Sequence, residues 1–443
     1  MLQVCLSLFL CSGPSPAQGD CLAIRVGRAE TISKGTLEHA VILVEDGKIT
    51  AIGEDLPIER GVPVLDRPDW VVTPGLVNCR SRAGMDGNAA RSFDPEQRAS
   101  GELYPRQDVW QDLLDAGVTT LGLYPPGSGI PGQAVAVRPR GATAGEMIVE
   151  DGVYLQIYIG ANPSLKKMLT DAFGKLDEYD EKVKKAREKW DKEQEQKKSK
   201  VKSKGKSETE EKKEGQQEEK KEGGEGQAQQ EDKKDEGKKD DAKKADSAEA
   251  FVPPEPDPKV KPFVDLRDKR LPALMSINKA ADYLHLLDAI DKREFLWSLH
   301  VPLRDDVDLY EVADKLGEKK VSVVLTPLVT LQPNTRRERN LPAELARAGA
   351  KVVLVPRGDG VAEHERWMFD VGRLVAAGLD RQAALAAVTL EAARVLGLEE
   401  RLGSLDPGKD ANLILWSGDP FEPQSRIQAV MLEGKIVSGE VGR

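Results

Sequence analysis

The two ends of the chain share a pattern of short, alternating apolar and polar segments. Residues 22–26 and 40–53 predict strands near the N-terminus, the second segment turning at Asp46-Gly47. Residues 411–416 and 429–437 repeat the pattern near the C-terminus. Asp-Gly between two β-rich runs is a strong signal for a hairpin. Both ends together therefore predict one small β-sandwich that encloses a middle of different character.

The middle of the chain alternates apolar runs with helical patterns. Eight segments are predicted as strands: residues 70–78, 119–124, 134–137, 154–159, 273–277, 295–300, 321–325 and 351–355. Helical patterns lie between several of them, at residues 279–290, 309–316 and 342–348. This alternation favours a parallel α/β sheet, and eight strands suit a closed (β/α)8 barrel of the TIM type.

A highly charged insertion interrupts the barrel pattern at residues 166–262. Its first part is predicted to be helical, because apolar residues from Leu169 to Trp190 recur at a spacing of three and four. Beyond Trp190 the composition is too polar to offset the entropy of ordering, which predicts disorder. We interpret the insertion as a solvated spacer; the alternative is that its apolar stripe tethers a partner.

The N-terminal residues have the composition of a secretory signal peptide. Residues 2–10 are apolar, and residues 15–17 offer a small-residue cleavage site. The alternative is a buried first strand. No other apolar run approaches the ~20 residues that span a bilayer. We therefore expect a secreted or periplasmic protein with no membrane span after removal of the signal, in which Cys21 and Cys79 form either a disulfide or two free thiols.

Charge excludes one class of partner. The 443 residues carry a formal net charge of −10 at pH 7, which argues against a general affinity for nucleic acid. The sequence is compatible with a homo-oligomer. The predicted organisation is a signal peptide (1–19), the N-terminal part of the sandwich (20–72), the first barrel half (73–165), the insertion (166–262), the second barrel half (263–402) and the C-terminal part of the sandwich (403–443).

Three motifs resemble the amidohydrolase superfamily. The first is Val-Val-Thr-Pro-Gly-Leu-Val-Asn at residues 71–78, and the second runs from the Ala-rich stretch at 384–398 into Gly-Ser-Leu-Asp-Pro-Gly-Lys-Asp at 403–410. The third, Ala-Gly-Val-Thr-Thr at 116–120 with Pro-Pro-Gly-Ser-Gly at 125–129, is similar to imidazolonepropionase-like members. The resemblance implies a distorted (β/α)8 barrel with a β-sandwich, and metal-assisted hydrolysis of non-peptide C–N bonds.

The sequence departs from the metal ligands that this resemblance implies. The family's His-x-His pair after strand one falls on Arg80 and Arg82. The lysine of strand four, often carbamylated, is matched by Gln156, and the histidine of strand five by Ser276. Arginine has only donors and stays protonated, so it cannot coordinate a divalent ion.

The later metal-ligand positions of the family are also only partly kept in this sequence. Strand six ends in His300, which keeps the ligand type, whereas strand eight places Arg357 where an aspartate is expected, with Asp359 two residues further on as a weak catalytic candidate. The chain has four histidines, and the other three are His39, His285 and His364. Because none of the four is close to another at ligand spacing, the sequence offers no substitute His-x-His pair.

These substitutions lead to two hypotheses. In the first, the protein is catalytically degenerate and needs no cofactor, and the three arginines form a pocket for a small anion, or the fold serves as a scaffold. Alternatively, the arginines pair with local acids such as Asp86 or Asp359. In the second hypothesis, an atypical, possibly mononuclear site with Zn or another divalent ion uses His300 and Asp359. Substrate specificity cannot be derived from the fold alone.

Overall fold

The computed structural model describes residues 21–85, 91–160, 163–214, 250–302, 308–332 and 334–439, with only the backbone helix described for 198–214. The predicted signal peptide and Asp86 lie outside these ranges. The chain divides into two compact units, Met1–Phe173 with Pro258–Arg443, and Gly174–Asp257. No helix among the described residues is long and apolar enough to cross a membrane.

The strands are β1 (Cys21–Glu30), β2 (Thr36–Glu38), β3 (Ala40–Glu45), β4 (Lys48–Glu54), β5 (Val64–Pro74), β6 (Leu76–Ser81), β7 (Val118–Leu123), β8 (Gly132–Val137), β9 (Ile148–Tyr158), β10 (Ala273–Ser276), β11 (Trp297–Val301), β12 (Ser322–Leu325), β13 (Thr330–Leu331), β14 (Glu338–Arg339), β15 (Lys351–Leu354), β16 (Leu413–Trp416), β17 (Ile427–Leu432) and β18 (Lys435–Gly439). The α-helices are α1 (Val109–Asp115), α2 (Ala144–Met147), α3 (Pro163–Glu214), α4 (Lys261–Arg267), α5 (Ala280–Ile290), α6 (Ala313–Glu318), α7 (Leu341–Ala348), α8 (Val361–Glu365), α9 (Trp367–Ala376), α10 (Arg381–Ala387) and α11 (Leu390–Val395). Two 3-10 helices cover Ala99–Glu102 and Leu309–Val312.

Both chain ends contribute to one β-structure, as the predicted β-sandwich requires, and their strands form a single eight-stranded sheet. Its strand order is β18-β17-β16-β5-β1-β3-β4, with β2 paired to β1. The turn residues Asp46 and Gly47 have φ values of 50° and 79°, and Glu433 and Gly434 have 48° and 78°. Positive φ at both central residues is the requirement of a type I′ hairpin turn. The β3–β4 turn lies against the start of β16, since the amide of Ala411 donates to the Gly47 carbonyl at 2.8 Å.

A second eight-stranded sheet forms the nearly closed barrel, in the order β15-β12-β11-β10-β9-β8-β7-β6. The predicted strand count is confirmed, but the expected all-parallel pairing is wrong in one place. Strand β8 runs antiparallel to both β7 and β9. No ladder is described between β15 and β6; at this seam the Val77 amide bonds instead to the Val388 carbonyl at 2.9 Å.

The predicted first barrel strand, residues 70–78, is in fact divided between the two sheets. Strand β5 ends at Pro74 in the terminal sheet, and β6 begins at Leu76 in the barrel. Gly75 marks the change because the backbone passes very close to β7, where an added Cβ would lie 2.2 Å from the Thr119 hydroxyl oxygen.

The second unit is organised along α3. The predicted helix is confirmed, and it continues past Trp190 as far as Glu214. Residues 215–249, the remainder of the segment expected to be disordered, lie outside the described residues. The returning chain packs along the helix, since the rings of Trp190 and Phe251 are 5.9 Å apart and Arg187 lies within 5.4 Å of both. The hydroxyl of Tyr179 donates to the Pro254 carbonyl at 2.9 Å.

Candidate functional site

The site begins with three neighbouring barrel strands whose carboxyl ends are in register. Tyr158 on β9 lies opposite Ser276 on β10, and Ser276 lies opposite His300 on β11. Gln156, two residues before Tyr158, lies opposite Leu274. Because side chains two residues apart on a strand share a face, Gln156 and Tyr158 point to the same side of β9.

A hydrogen-bonded chain joins the residues at three of the expected metal-ligand positions, of which only His300 keeps the ligand type. The Gln156 Nε2 donates to the Ser276 hydroxyl at 3.0 Å and to the Leu274 carbonyl at 3.2 Å. The Ser276 hydroxyl lies 3.0 Å from His300 Nδ1. Since no other acceptor for this hydroxyl is described, its hydrogen belongs to Nδ1, which leaves the imidazole proton on Nε2. All three side chains are buried.

Burial determines the charge of His300. It lowers the pKa of His300 well below the usual value of 6.5, and the nearby guanidinium of Arg80 adds to this effect. His300 is therefore neutral near pH 7, with one donor at Nε2.

Arg80 brings a positive charge into the barrel. Its guanidinium stacks 4.1 Å from the centre of the Tyr124 ring, and Nη2 donates to the Tyr158 hydroxyl at 3.3 Å. Its Nε is buried and has no hydrogen-bond partner among the described residues. Burial lowers the pKa of Arg80, but the phenols of Tyr124, Tyr158 and Tyr154 outweigh this effect and raise it above its usual value. Arg80 thus stays charged without an ion-pair partner in the described structure.

Arg82 and Asp359 lie at the seam between β6 and β15. The Arg82 guanidinium donates to the Tyr124 carbonyl at 3.0 Å. One carboxylate oxygen of Asp359 accepts from the Ser81 hydroxyl and from the Arg82 amide, both at 2.8 Å. Asp359 therefore holds the end of β6 through the Ser81 hydroxyl and the Arg82 amide.

The structure does not bring Arg357 to the other arginines. Its side chain is exposed, and no described hydrogen bond, ion pair or ring contact joins it to Arg80, Arg82 or Tyr124. The three-arginine pocket thus reduces to Arg80 with Arg82 beside it. The sequence prediction did not include the tyrosines around Arg80. Their signal was the alternation of residues 154, 156 and 158 along a predicted strand, which carries polar groups to one face.

The remaining histidines lie elsewhere. His364 is buried on α8, where Nδ1 lies 2.7 Å from the Gly360 carbonyl and Nε2 lies 3.0 Å from the Asn78 amide. Burial lowers the pKa of His364, and the hydrogen bond to Gly360 partly offsets this effect. His39 and His285 are exposed. Buried Cys79, whose pKa burial raises to about 12, is a free thiol and not a metal-binding thiolate.

Among the described residues, the side chains around His300 do not form a donor set that fits a divalent ion. A catalytic zinc site takes three protein ligands from histidine and carboxylate, sometimes with cysteine. No group of three or more His, Cys, Asp or Glu side chains with this potential occurs in the described ranges. His300 has Ser276 on one nitrogen, and its other neighbours at the site are an amide, phenols and a fixed guanidinium, which repels a cation.

Comparisons with known proteins agree with this fold. The family model described as the amidohydrolase family matches residues 277–437. An imidazolonepropionase from Klebsiella pneumoniae is 33% identical over 96 residues, which is 20% of this chain and 22% of the relative. An imidazolonepropionase from Brucella anthropi is 37% identical over 73 residues, 16% and 18% of the two chains. The chain thus matches about a fifth of the length of these relatives.

Solved structures extend the likeness of fold to nearly the whole chain. An amidohydrolase from Thermotoga maritima superimposes with a TM-score of 0.71 at 22% identity, covering 95% of this chain and 100% of the other. A prolidase complexed with N-methylphosphonate-L-proline gives a TM-score of 0.51 at 13% identity, with the same coverage. The family match over residues 277–437 and the two partial relatives show that the chain is similar to the amidohydrolase family, and the solved structures show a shared fold.

Proposed function

We propose that this protein is a catalytically degenerate amidohydrolase whose barrel binds a small anion where related enzymes hold metal ions. The observation that carries the proposal is the guanidinium of Arg80. It lies within the barrel, its Nε has no partner among the described residues, and its neighbours are phenols instead of carboxylates. A buried charge without a counter-ion is costly, and an anionic ligand would remove that cost.

The geometry of the arginine side chain favours oxyanions as ligands. Guanidinium offers planar, fixed donors that suit carboxylate, sulfate or phosphate oxygens. Stacking on Tyr124 holds the Arg80 plane and the Tyr158 hydroxyl holds one edge, so little side-chain entropy remains to be lost on binding. The buried Nε keeps a donor without a described partner, and we propose that this donor binds the anion.

The contact between Ser276 and His300 raises a second possibility, a metal-free nucleophile with its base. Burial and the charge of Arg80 disfavour it, because both lower the pKa of His300 and oppose formation of the imidazolium that a general base must become. The described residues also provide no carboxylate hydrogen-bonded to His300. We therefore assign this pair to shaping the pocket.

The test is the thermal midpoint of unfolding in the presence of sulfate, phosphate or acetate, with chloride held constant. We expect a saturable rise for the wild type, by mass action on the native state. Arg80→Met should abolish the rise. Arg25→Met is the matched control, since it removes the same charge from an exposed position on β1. Equal responses of wild type and Arg80→Met would refute the pocket.

We also propose that the protein is exported. The apolar run at residues 2–10 and the small residues at 15–17 support a signal peptide. Cell fractionation with sequencing of the mature N-terminus tests this proposal: a chain that keeps residues 1–19 in the cytoplasm would contradict it.

A further inference from the structure

A cavity of about 380 Å³ lies between α8, α9 and the segment that joins β16 to β17. Its walls include the apolar side chains of Met368, Phe369, Trp416, Phe421 and Ile427. Phe369 is 46% exposed, although its side chain is large and apolar. A concave surface of this size with apolar and aromatic walls is typical of a small-molecule site.

The ionisable side chains of this cavity are mostly acidic. Asp115, Glu365 and Glu422 each bring a carboxylate, whereas Arg426 brings a guanidinium. His364 also lines the cavity, but both of its ring nitrogens bond within the protein, and burial lowers its pKa, so it adds no positive charge near pH 7. The wall therefore carries an excess of two negative charges.

The carboxylates of the wall are not neutralised by the guanidinium. Arg426 directs Nη1 to two backbone carbonyls, at 2.7 and 2.8 Å. The described hydrogen bonds of Asp115 and Glu422 come from neutral amides and a hydroxyl. Glu365 is exposed and forms no ion pair within the described part of the chain. An apolar cavity with this surplus of negative charge is complementary to a cation.

We infer that this cavity binds a small organic amine, a monocation whose apolar body packs against the aromatic wall. Burial of the apolar body against Phe369 and Phe421 supplies the larger part of the affinity. The ammonium group is attracted by the carboxylates and by the faces of the aromatic rings. The site shares no lining residue with the Arg80 pocket and takes a ligand of opposite charge, so the two proposals are independent.

A matched pair of ligands tests the charge preference. The probes are tryptamine and tryptophol, which share the indole ring and the two-carbon linker and differ in an ammonium against a hydroxyl group. In titration calorimetry on the full chain at low salt, we expect tryptamine to bind about fivefold more tightly than tryptophol. The ratio should fall at high ionic strength, because salt screens the carboxylates.

Two pairs of variants locate the binding. Phe369→Ser should weaken both ligands about threefold, whereas Leu284→Ser, at a residue of 48% exposure outside the cavity, should leave both affinities unchanged. Glu365→Gln should weaken tryptamine about twofold and leave tryptophol unchanged. Its control is Glu363→Gln, which removes the same charge from an exposed position on α8 that does not line the cavity.

The wild-type titrations decide the question before any variant is made. Absence of tryptamine binding, or equal affinities for tryptamine and tryptophol, would overturn the inference. Binding of tryptamine that is unaffected by Phe369→Ser would place the amine elsewhere and would overturn it as well. None of these results bears on the Arg80 pocket, which is tested with anions and with Arg80→Met.

Discussion

Two buried charged groups of this molecule differ in whether oppositely charged side chains lie beside them. Glu30, the last residue of β1 in the terminal sheet, is 1% exposed and lies between the guanidinium groups of Arg28 and Arg381 at 3.3 and 3.0 Å. Asp419 bonds to the same two arginines at 3.0 and 2.8 Å. Arg80 in the barrel has no carboxylate among the described residues. The charge of Glu30 is therefore balanced by two arginines that link different structural elements, whereas the charge of Arg80 lies where we propose that an anion binds.

The largest expected effect comes from breaking the balanced cluster. Glu30→Ala leaves Arg28 and Arg381 with one carboxylate between them and should lower the free energy of unfolding by about 3 to 5 kcal/mol. Urea denaturation measures it. Asp66→Ala is the control, since Asp66 pairs with Arg25 at the surface and should cost less than about 1 kcal/mol. A loss of similar size in both variants would contradict the comparison.

Removing the charge of Arg80 should raise the free energy of unfolding, whereas removing Glu30 lowers it. Arg80→Met eliminates a buried cation and keeps an apolar stem against Tyr124. In buffer without multivalent or organic anions we expect it to raise the free energy of unfolding by about 1 kcal/mol. The same denaturation measurement checks this. A loss of several kcal/mol would show that Arg80 is a structural residue and not a ligand-binding one.

Asp359 offers a smaller test at the barrel seam. Asp359→Ala removes the acceptor for Ser81 and the Arg82 amide and should cost about 1 to 2 kcal/mol, whereas Asp359→Asn keeps an acceptor oxygen and should cost less. The thermal midpoints of both variants give the order. If the two variants lose equal stability, the negative charge matters more than the hydrogen bonds.

The smallest effect concerns pH. The folded state lowers the pKa of His300 and of His364, so the unfolded chain binds these protons first as pH falls below about 6.5. Stability should therefore be full above that pH and should decrease from pH 7 toward pH 5. His300→Gln should flatten this dependence in thermal unfolding more than His285→Gln, whose side chain is exposed. Identical slopes for the two variants would be evidence against a buried neutral His300.

The sequence was sufficient for most of the fold. Strand periodicity located all eight barrel strands, and Asp46-Gly47 located a hairpin, because these signals are local. It could not show that residues 70–78 divide between two sheets, since the change at Gly75 depends on contact with Thr119. Nor could it show the reversed direction of β8, which depends on long-range pairing.

The site was less accessible to sequence reasoning. The motif located Arg80 and Arg82, and the structure places Arg80 in the barrel beside Tyr124 and Tyr158. Arg357 was expected to join them, yet a strand position alone cannot fix the direction of a side chain that follows the strand. The unpartnered oxygen of Gln156 depends on the bonds of its amide nitrogen, which only coordinates reveal.

The most direct test of the central claim is the metal content of the full chain, purified without chelator from cells supplied with Zn and Mn. The account predicts no near-stoichiometric metal, and no change in content for Arg80→Met. One Zn or Mn per chain that is lost in His300→Gln would contradict it, because a cation would then occupy the space that we assign to an anion.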